Sequence, residues 1–201
     1  MANVELIMLM LVFSGILAYG VAKFNATYGS IVVIVASFLS FVFLGYFGYV
    51  TGTLDDTVNY LTFTTFNVTE LGLFFAVIVT FVFSMVSFFN PFYIDKIKYN
   101  GAYSMLYLFA LAGAVGVFFT NNMLYLFFFF EFVVWTSLFM IPMGRSKKAP
   151  VWYFGFSAFG SFSLLIAVLL IHMVTGSWNI ESMATMSSGY NVTVLLLLAV
   201  A

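Results

Sequence analysis

Long apolar runs, separated by short polar breaks that often carry Gly or Pro, dominate the chain. They fall at 4–22, 29–50, 70–89, 101–119, 123–143 and 151–174. Each approaches the roughly 20 residues that an α-helix, rising 1.5 Å per residue, needs to cross a hydrocarbon layer ~30 Å thick. The pattern predicts six transmembrane helices. A further run begins near Val192 and reaches Ala201. It is too short to cross, so the fold is expected to continue, in this polypeptide or another. The first run follows Met1-Ala-Asn-Val-Glu5, which lacks the basic region of a cleavable signal, and it reads as a retained helix.

Composition agrees with a membrane environment. Hydrophobic residues make up 64% of the chain and charged residues 6%, with a mean hydropathy of +1.15. That leaves too little polar surface to coat a water-soluble globule. There is no Cys, so disulfides, thiol chemistry and Cys-held metals are excluded, and the single His172 excludes a multi-histidine metal site within the chain. No motif for nucleotide, flavin, iron–sulfur or haem ligation is present, so the chain carries no catalytic centre or cofactor site of its own. Any redox cofactor is expected in partner subunits. Net charge is −1 with no basic block, which argues against nucleic acid as a partner.

Loop charges test the helix count. If the spans alternate, Lys23, Lys96, Lys98, Arg145, Lys147 and Lys148 all fall on one side, while Glu5, Asp55, Asp56, Glu70 and Glu181 fall on the other. The positive-inside rule then puts the N-terminus outside, in a prokaryotic cell membrane or, alternatively, the mitochondrial inner membrane. The sequons at Asn67 and Asn191 fall outside and carry no meaning without a secretory route.

Glu131 interrupts Leu126-Phe-Phe-Phe-Phe-Glu-Phe-Val-Val-Trp135. Eight residues into the fifth span, it stands ~12 Å deep, near the bilayer midplane. A charge there costs at least ~2.5–3.5 kcal/mol on insertion scales, so it needs a proton, water or a counterion. The nearest basic residue along its own helix is Arg145, ~21 Å further on, and Phe127, Phe128, Val134 and Trp135 one turn away carry no charge. A neutral, structural carboxyl is the competing reading.

Other polar positions weigh less. His172 lies ~32 Å along the sixth span from Val151, near an interface. Glu70 opens the third span and reads as a solvated end residue, and Asp55 and Asp56 solvate a loop. Ala110, Ala112, Gly113, Ala114 and Gly116 in the fourth span, with Gly155, Ser157, Ala158, Gly160 and Ser161 in the sixth, suit close helix packing. Ser157 and Ser161 could also hydrate an axis beside Glu131. The 28 Phe residues read as lipid-facing and packing groups rather than a quinone site.

The stretch Asn121-Asn-Met-Leu-Tyr-Leu-Phe-Phe-Phe-Phe-Glu131-Phe-Val-Val-Trp135 through Pro142 resembles the fifth helix of the antiporter-like subunits of respiratory complex I, Mrp sodium/proton antiporters and membrane-bound hydrogenases. Val174-Thr-Gly-Ser-Trp-Asn-Ile180 resembles the turn after their sixth helix, and Val68-Thr-Glu70-Leu-Gly-Leu-Phe the entry to their third, where Glu70 stands in place of the usual aspartate. The resemblance implies an all-α polytopic protein, the N-terminal part of an antiporter-like 14-helix fold. Residues 1–100 would hold helices one to three, and 101–201 would hold helices four to six and the start of the seventh, an incomplete first half of the inverted-repeat channel unit.

It further implies H⁺ or Na⁺ translocation within a multisubunit redox-driven or Mrp-type complex, so that the chain is a membrane subunit of an oxidoreductase or a cation/proton antiporter. Glu131 would pair with a lysine on a broken seventh helix, supplied beyond Ala201 or by another chain. Broken helices at the midplane are where such folds place ion sites. A non-conducting scaffold with an inert Glu131 is the alternative.

Overall fold

The computed structural model describes residues 4–51, 57–61, 64–67, 69–94, 99–144, 148–185 and 193–198. Its elements are α1 Val4–Ala22, α2 Ala26–Thr51, β1 Thr57–Leu61, β2 Thr64–Asn67, α3 Glu70–Ser87, α4 Asn90–Ile94, α5 Asn100–Phe119, α6 Met123–Met140 and α7 Ala149–Thr175. Residues 193–198 are helical as well. Six helices, all but α4 and that last short piece, are long and apolar enough to cross a bilayer, and they coincide with the six predicted spans. The chain is a multi-pass membrane protein.

Local chemistry sets the helix ends. The Asn25 side chain accepts from Thr27 N–H at 2.9 Å, so α2 starts at Ala26, earlier than the apolar run at 29 suggests. Thr69 caps α3 by accepting from Gly72 N–H at 3.0 Å. Pro91 lies in the first turn of α4, where its missing N–H and fixed φ are tolerated. Pro142 ends α6 in a short 3-10 turn, and Gly176, at φ +69°, closes α7 in the left-handed conformation.

The hairpin is absent from the hydropathy reading. Thr57, Val58, Tyr60, Thr64 and Phe66 favour strands, and β1 pairs antiparallel with β2 through Thr57 opposite Asn67 and Val58 opposite Phe66. Asp55, Asp56, Lys96, Lys98, Arg145, Lys147 and Asn191 lie outside the described residues.

Helix direction alternates. A Cβ on Gly72 at the start of α3 would stand 2.5 Å from the Phe118 carbonyl at the end of α5, and one on Gly101 at the start of α5 would stand 3.1 Å from the Tyr19 carbonyl at the end of α1. Among the described residues, Glu5, Glu70 and Glu181 consequently share the end that carries the N-terminus, and Lys23 and Lys148 share the opposite end.

α5 is the central helix, with 56% of its apolar stretch buried against 6% in α6. Tyr107, Leu108, Leu111, Ala112, Val115 and Phe119 of α5 form one core with α1, α2 and α3. Buried hydroxyls on α2 and α3 are satisfied largely by carbonyls one turn back, as Ser40 by Ala36 and Thr80 by Ala76, each at 2.8 Å. Ser37 donates across to Ser87 at 3.0 Å. A second cluster joins Met123 of α6 to Leu164, Val168 and Ile171 of α7 and to Val194. Ser163 donates to the Leu197 carbonyl at 2.7 Å, which docks the 193–198 helix on α7.

Gly72→Ala should strain the α3–α5 approach, because the obstacle is backbone and cannot rotate away. Overpacking of this kind typically costs ~1–3 kcal/mol. Thermal unfolding in detergent should show a melting temperature several degrees lower, whereas Gly155→Ala, with nothing within 4 Å of the added Cβ, should leave it unchanged.

Candidate functional site

The turn before α6 and the loop after α7 are joined by backbone hydrogen bonds. Met123 N–H donates to the Trp178 carbonyl at 2.8 Å, and Ile180 N–H donates to the Asn121 carbonyl at 3.0 Å, around an antiparallel bridge between Asn122 and Asn179. Asn122 also caps α6, accepting from Leu124 N–H at 2.9 Å and Tyr125 N–H at 3.3 Å. Asn121 Nδ2 reaches Glu181 Oε1 at 3.4 Å. These contacts set the start of α6 against the end of α7.

From that fixed start, helical periodicity decides where each side chain points. Phe129, Phe132 and Val133 face α5, which admits them because Gly113 and Gly116 carry no side chain; a Cβ on Gly116 would stand 2.6 Å from the Phe129 ring. Phe127, Glu131, Val134, Trp135 and Leu138, which recur once per helical turn with the adjacent pair Val134 and Trp135 sharing one turn, face α7 instead. Opposite them stand Phe154, Ser157, Ala158, Ser161, Phe162 and Leu165, again one helical face. Between the two faces lies a half-open cavity of about 230 Å³, room for several waters.

Glu131 Oε1 is enclosed and has no hydrogen-bond partner among the described residues. Leaving a buried acceptor unmet costs ~1–3 kcal/mol, and more when it is charged. Ser157 commits its hydroxyl hydrogen to the Tyr153 carbonyl at 2.7 Å, so its oxygen faces the site as an acceptor. No group of three or more His, Asp or Glu suited to a metal occurs among the described residues. The arrangement can therefore take a proton, water or an external cation at Glu131, inside an otherwise apolar wall.

Of the sequence candidates, Glu131, Ser157 and Ser161 come together. Glu70 is exposed in the first turn of α3, beside the Thr69 cap and away from the cavity. His172 is in the last turn of α7, eleven residues or ~16 Å beyond Ser161. Its ring stacks on Trp178 with centroids 3.7 Å apart and planes within 8°, and Nδ1 is enclosed without a partner.

The close-packing expectation holds for Gly113 and Gly116, Gly160 of α7 is buried as well, and four other positions of α7 need correction. Gly155 is exposed with nothing within 4 Å of its Cβ position, and Ser157, Ala158 and Ser161 line the cavity rather than a helix seam. Phe127, Trp135, Phe154 and Phe162 were not singled out as lining residues from the sequence. Helical spacing is the signal that finds them. Phe127 and Trp135 flank Glu131 by four residues each way on α6, and Phe154 and Phe162 flank Ala158 in the same manner on α7.

A six-span helical bundle with a carboxyl in an interhelical cavity defines a polytopic membrane protein. Residues 120–201 match the family model described as the transmembrane region of NADH:quinone oxidoreductase and Mrp antiporters. Na(+)/H(+) antiporter subunit A1 of Staphylococcus aureus, from strains bovine RF122 / ET3-1 and JH9, is 26% identical over 117 residues, covering 56% of this chain and 15% of the relative. The fold is that of a chain in the membrane-bound sulfane sulfur reductase, an archaeal respiratory membrane complex, with a TM-score of 0.81, 19% identity and coverage of 96% of this chain and 42% of the other. The family model thus matches the C-terminal part of the chain, and the chain spans less than half the length of these relatives.

The natural absence of Cys allows a clean labelling test of hydration. Ser161→Cys should react with a small water-soluble maleimide, since thiolate chemistry needs water at the site. Ser40→Cys, at a fully buried position, should not. Equal protection of both positions would mean that the cavity is dry.

Proposed function

We propose that this chain is an ion-translocating, antiporter-like subunit of a multisubunit redox-driven or Mrp-type membrane complex, and that Glu131 forms part of its H⁺ or Na⁺ path. The observation that carries the reading is the enclosed, unpartnered Glu131 oxygen at a cavity between α6 and α7. Intramembrane carboxyls of this kind usually mark ion or proton routes. The match of residues 120–201 to the antiporter family model and the fold relative in a respiratory membrane complex support the setting.

On this reading α6, only half-buried over most of its length, is covered further by helices that lie beyond these residues or belong to partner subunits. One of them supplies a lysine that pairs with Glu131, as the family resemblance implies. The end with Lys23 and Lys148 faces the cytoplasm of a prokaryotic cell and the N-terminus faces outside, in keeping with the charge asymmetry. Redox cofactors, where the complex has them, reside in other subunits.

Glu131→Gln keeps the shape and removes the charge. In the intact complex it should leave assembly unchanged and lower coupled H⁺ or Na⁺ transport at least tenfold, measured in vesicles with a pH- or Na⁺-sensitive dye. Undiminished transport with normal assembly would overturn this role and favour the non-conducting scaffold.

A further inference from the structure

At the end of the bundle opposite the N-terminus lies a second cavity, of about 170 Å³, separate from Glu131. Val86 and Phe89 at the end of α3, Asn90 and Tyr93 of α4, and Tyr103 and Tyr107 of α5 line it. Asn90 is only 5% exposed, yet neither Oδ1 nor Nδ2 has a hydrogen-bond partner among the described residues. A buried amide with both donor and acceptor unmet is costly, and native structures seldom keep one without a ligand or water.

The surrounding walls do not supply the missing bonds. Tyr107 donates its hydroxyl to the Phe83 carbonyl at 2.5 Å. Tyr103 lies between Tyr93 and Tyr107, its ring tilted to both with centroids 6.0 and 6.4 Å away, so the rings present an aromatic surface. Apolar cavities tend to stay dry, whereas the amide demands one donor and one acceptor from outside. A ligand that satisfies both walls and amide must be amphipathic. Phe89 in the lining is 71% exposed and Phe92 in α4 is 78% exposed, where the span ends and the hydrocarbon layer gives way to the headgroup layer.

We propose that this cavity binds a phospholipid: Asn90 Nδ2 donates to a phosphate or ester oxygen, Oδ1 accepts from a headgroup hydroxyl or ammonium, and the glycerol and upper acyl carbons rest on the tyrosine rings. The geometry carries a selectivity. Glycerol and ethanolamine headgroups offer the donor that Oδ1 needs, and choline does not.

The test uses the full chain, extracted in mild detergent with its co-purifying subunits and returned to nanodiscs. Phosphatidylglycerol with a diazirine near the glycerol end of one acyl chain is photolysed, and labelled peptides are mapped by mass spectrometry. Labelling should concentrate on residues 85–107, fall at least fivefold in Asn90→Leu, and fall similarly in Val86→Phe, which leaves the amide in place and fills the cavity. The second variant keeps the test decisive where the first folds poorly. A phosphatidylcholine analogue should label this segment more weakly, and excess free glycerol phosphate should not compete. Labelling of 85–107 that is equal in wild type and both variants, labelling that is absent from wild type, or full competition by glycerol phosphate would each overturn the lipid site.

Discussion

The hydrogen bonds between Met123 and Trp178, and between Ile180 and Asn121, are the contacts on which the placement of Glu131 depends. The N–H groups at a helix start have no partner within the helix, and in a membrane they cannot turn freely to water. Here one of them is satisfied by the loop after α7 and two more by the Asn122 side chain. The result is mechanical as well as energetic. With α6 fixed at its first residue, the 3.6-residue repeat directs Glu131, two turns on, toward α7.

Small residues act in two opposite ways around α6. On the α5 side, Gly113 and Gly116 let Phe129 and Val133 approach within van der Waals contact, and the helices close on each other. On the α7 side, Ser157, Ala158 and Ser161 stand across from Glu131 and no large side chain fills the space they leave. The difference comes from where each helix is anchored. α5 packs into the central core along its length, whereas Met123, Leu164, Val168 and Ile171 hold α6 and α7 together toward the clamped end. Beyond that grip the short side chains leave a cavity instead of a seam.

The spans were legible because each depends on composition within a single segment, and bilayer thickness fixes its length. Glu131 was legible for the same reason: one charge in an apolar run stands out without knowledge of its neighbours. Which face a residue presents was not. Gly155 and Gly116 look alike in sequence, yet one meets nothing and the other meets an aromatic ring. The clamp went unseen because it joins Asn121–Met123 to Trp178–Ile180, backbone groups more than fifty residues apart that no side-chain pattern marks. The hairpin and the early start of α2 rest on turn and capping chemistry in short polar stretches, which hydropathy averages away.

Hydrogen-bond accounting at Glu131 then separates its two charge states. With the Ser157 hydrogen held by the Tyr153 carbonyl, that hydroxyl can receive a hydrogen bond at the cavity but not give one by the same hydrogen. A carboxylic acid brings its own hydrogen to such a wall, whereas a carboxylate requires donors. Among the described basic residues, Lys23 sits over the Tyr19 ring at 4.6 Å and Lys148 is exposed at the start of α7, both at the far end of the bundle. On the proposed reading, the donor must therefore come through the cavity, as water or as a cation on an approaching helix.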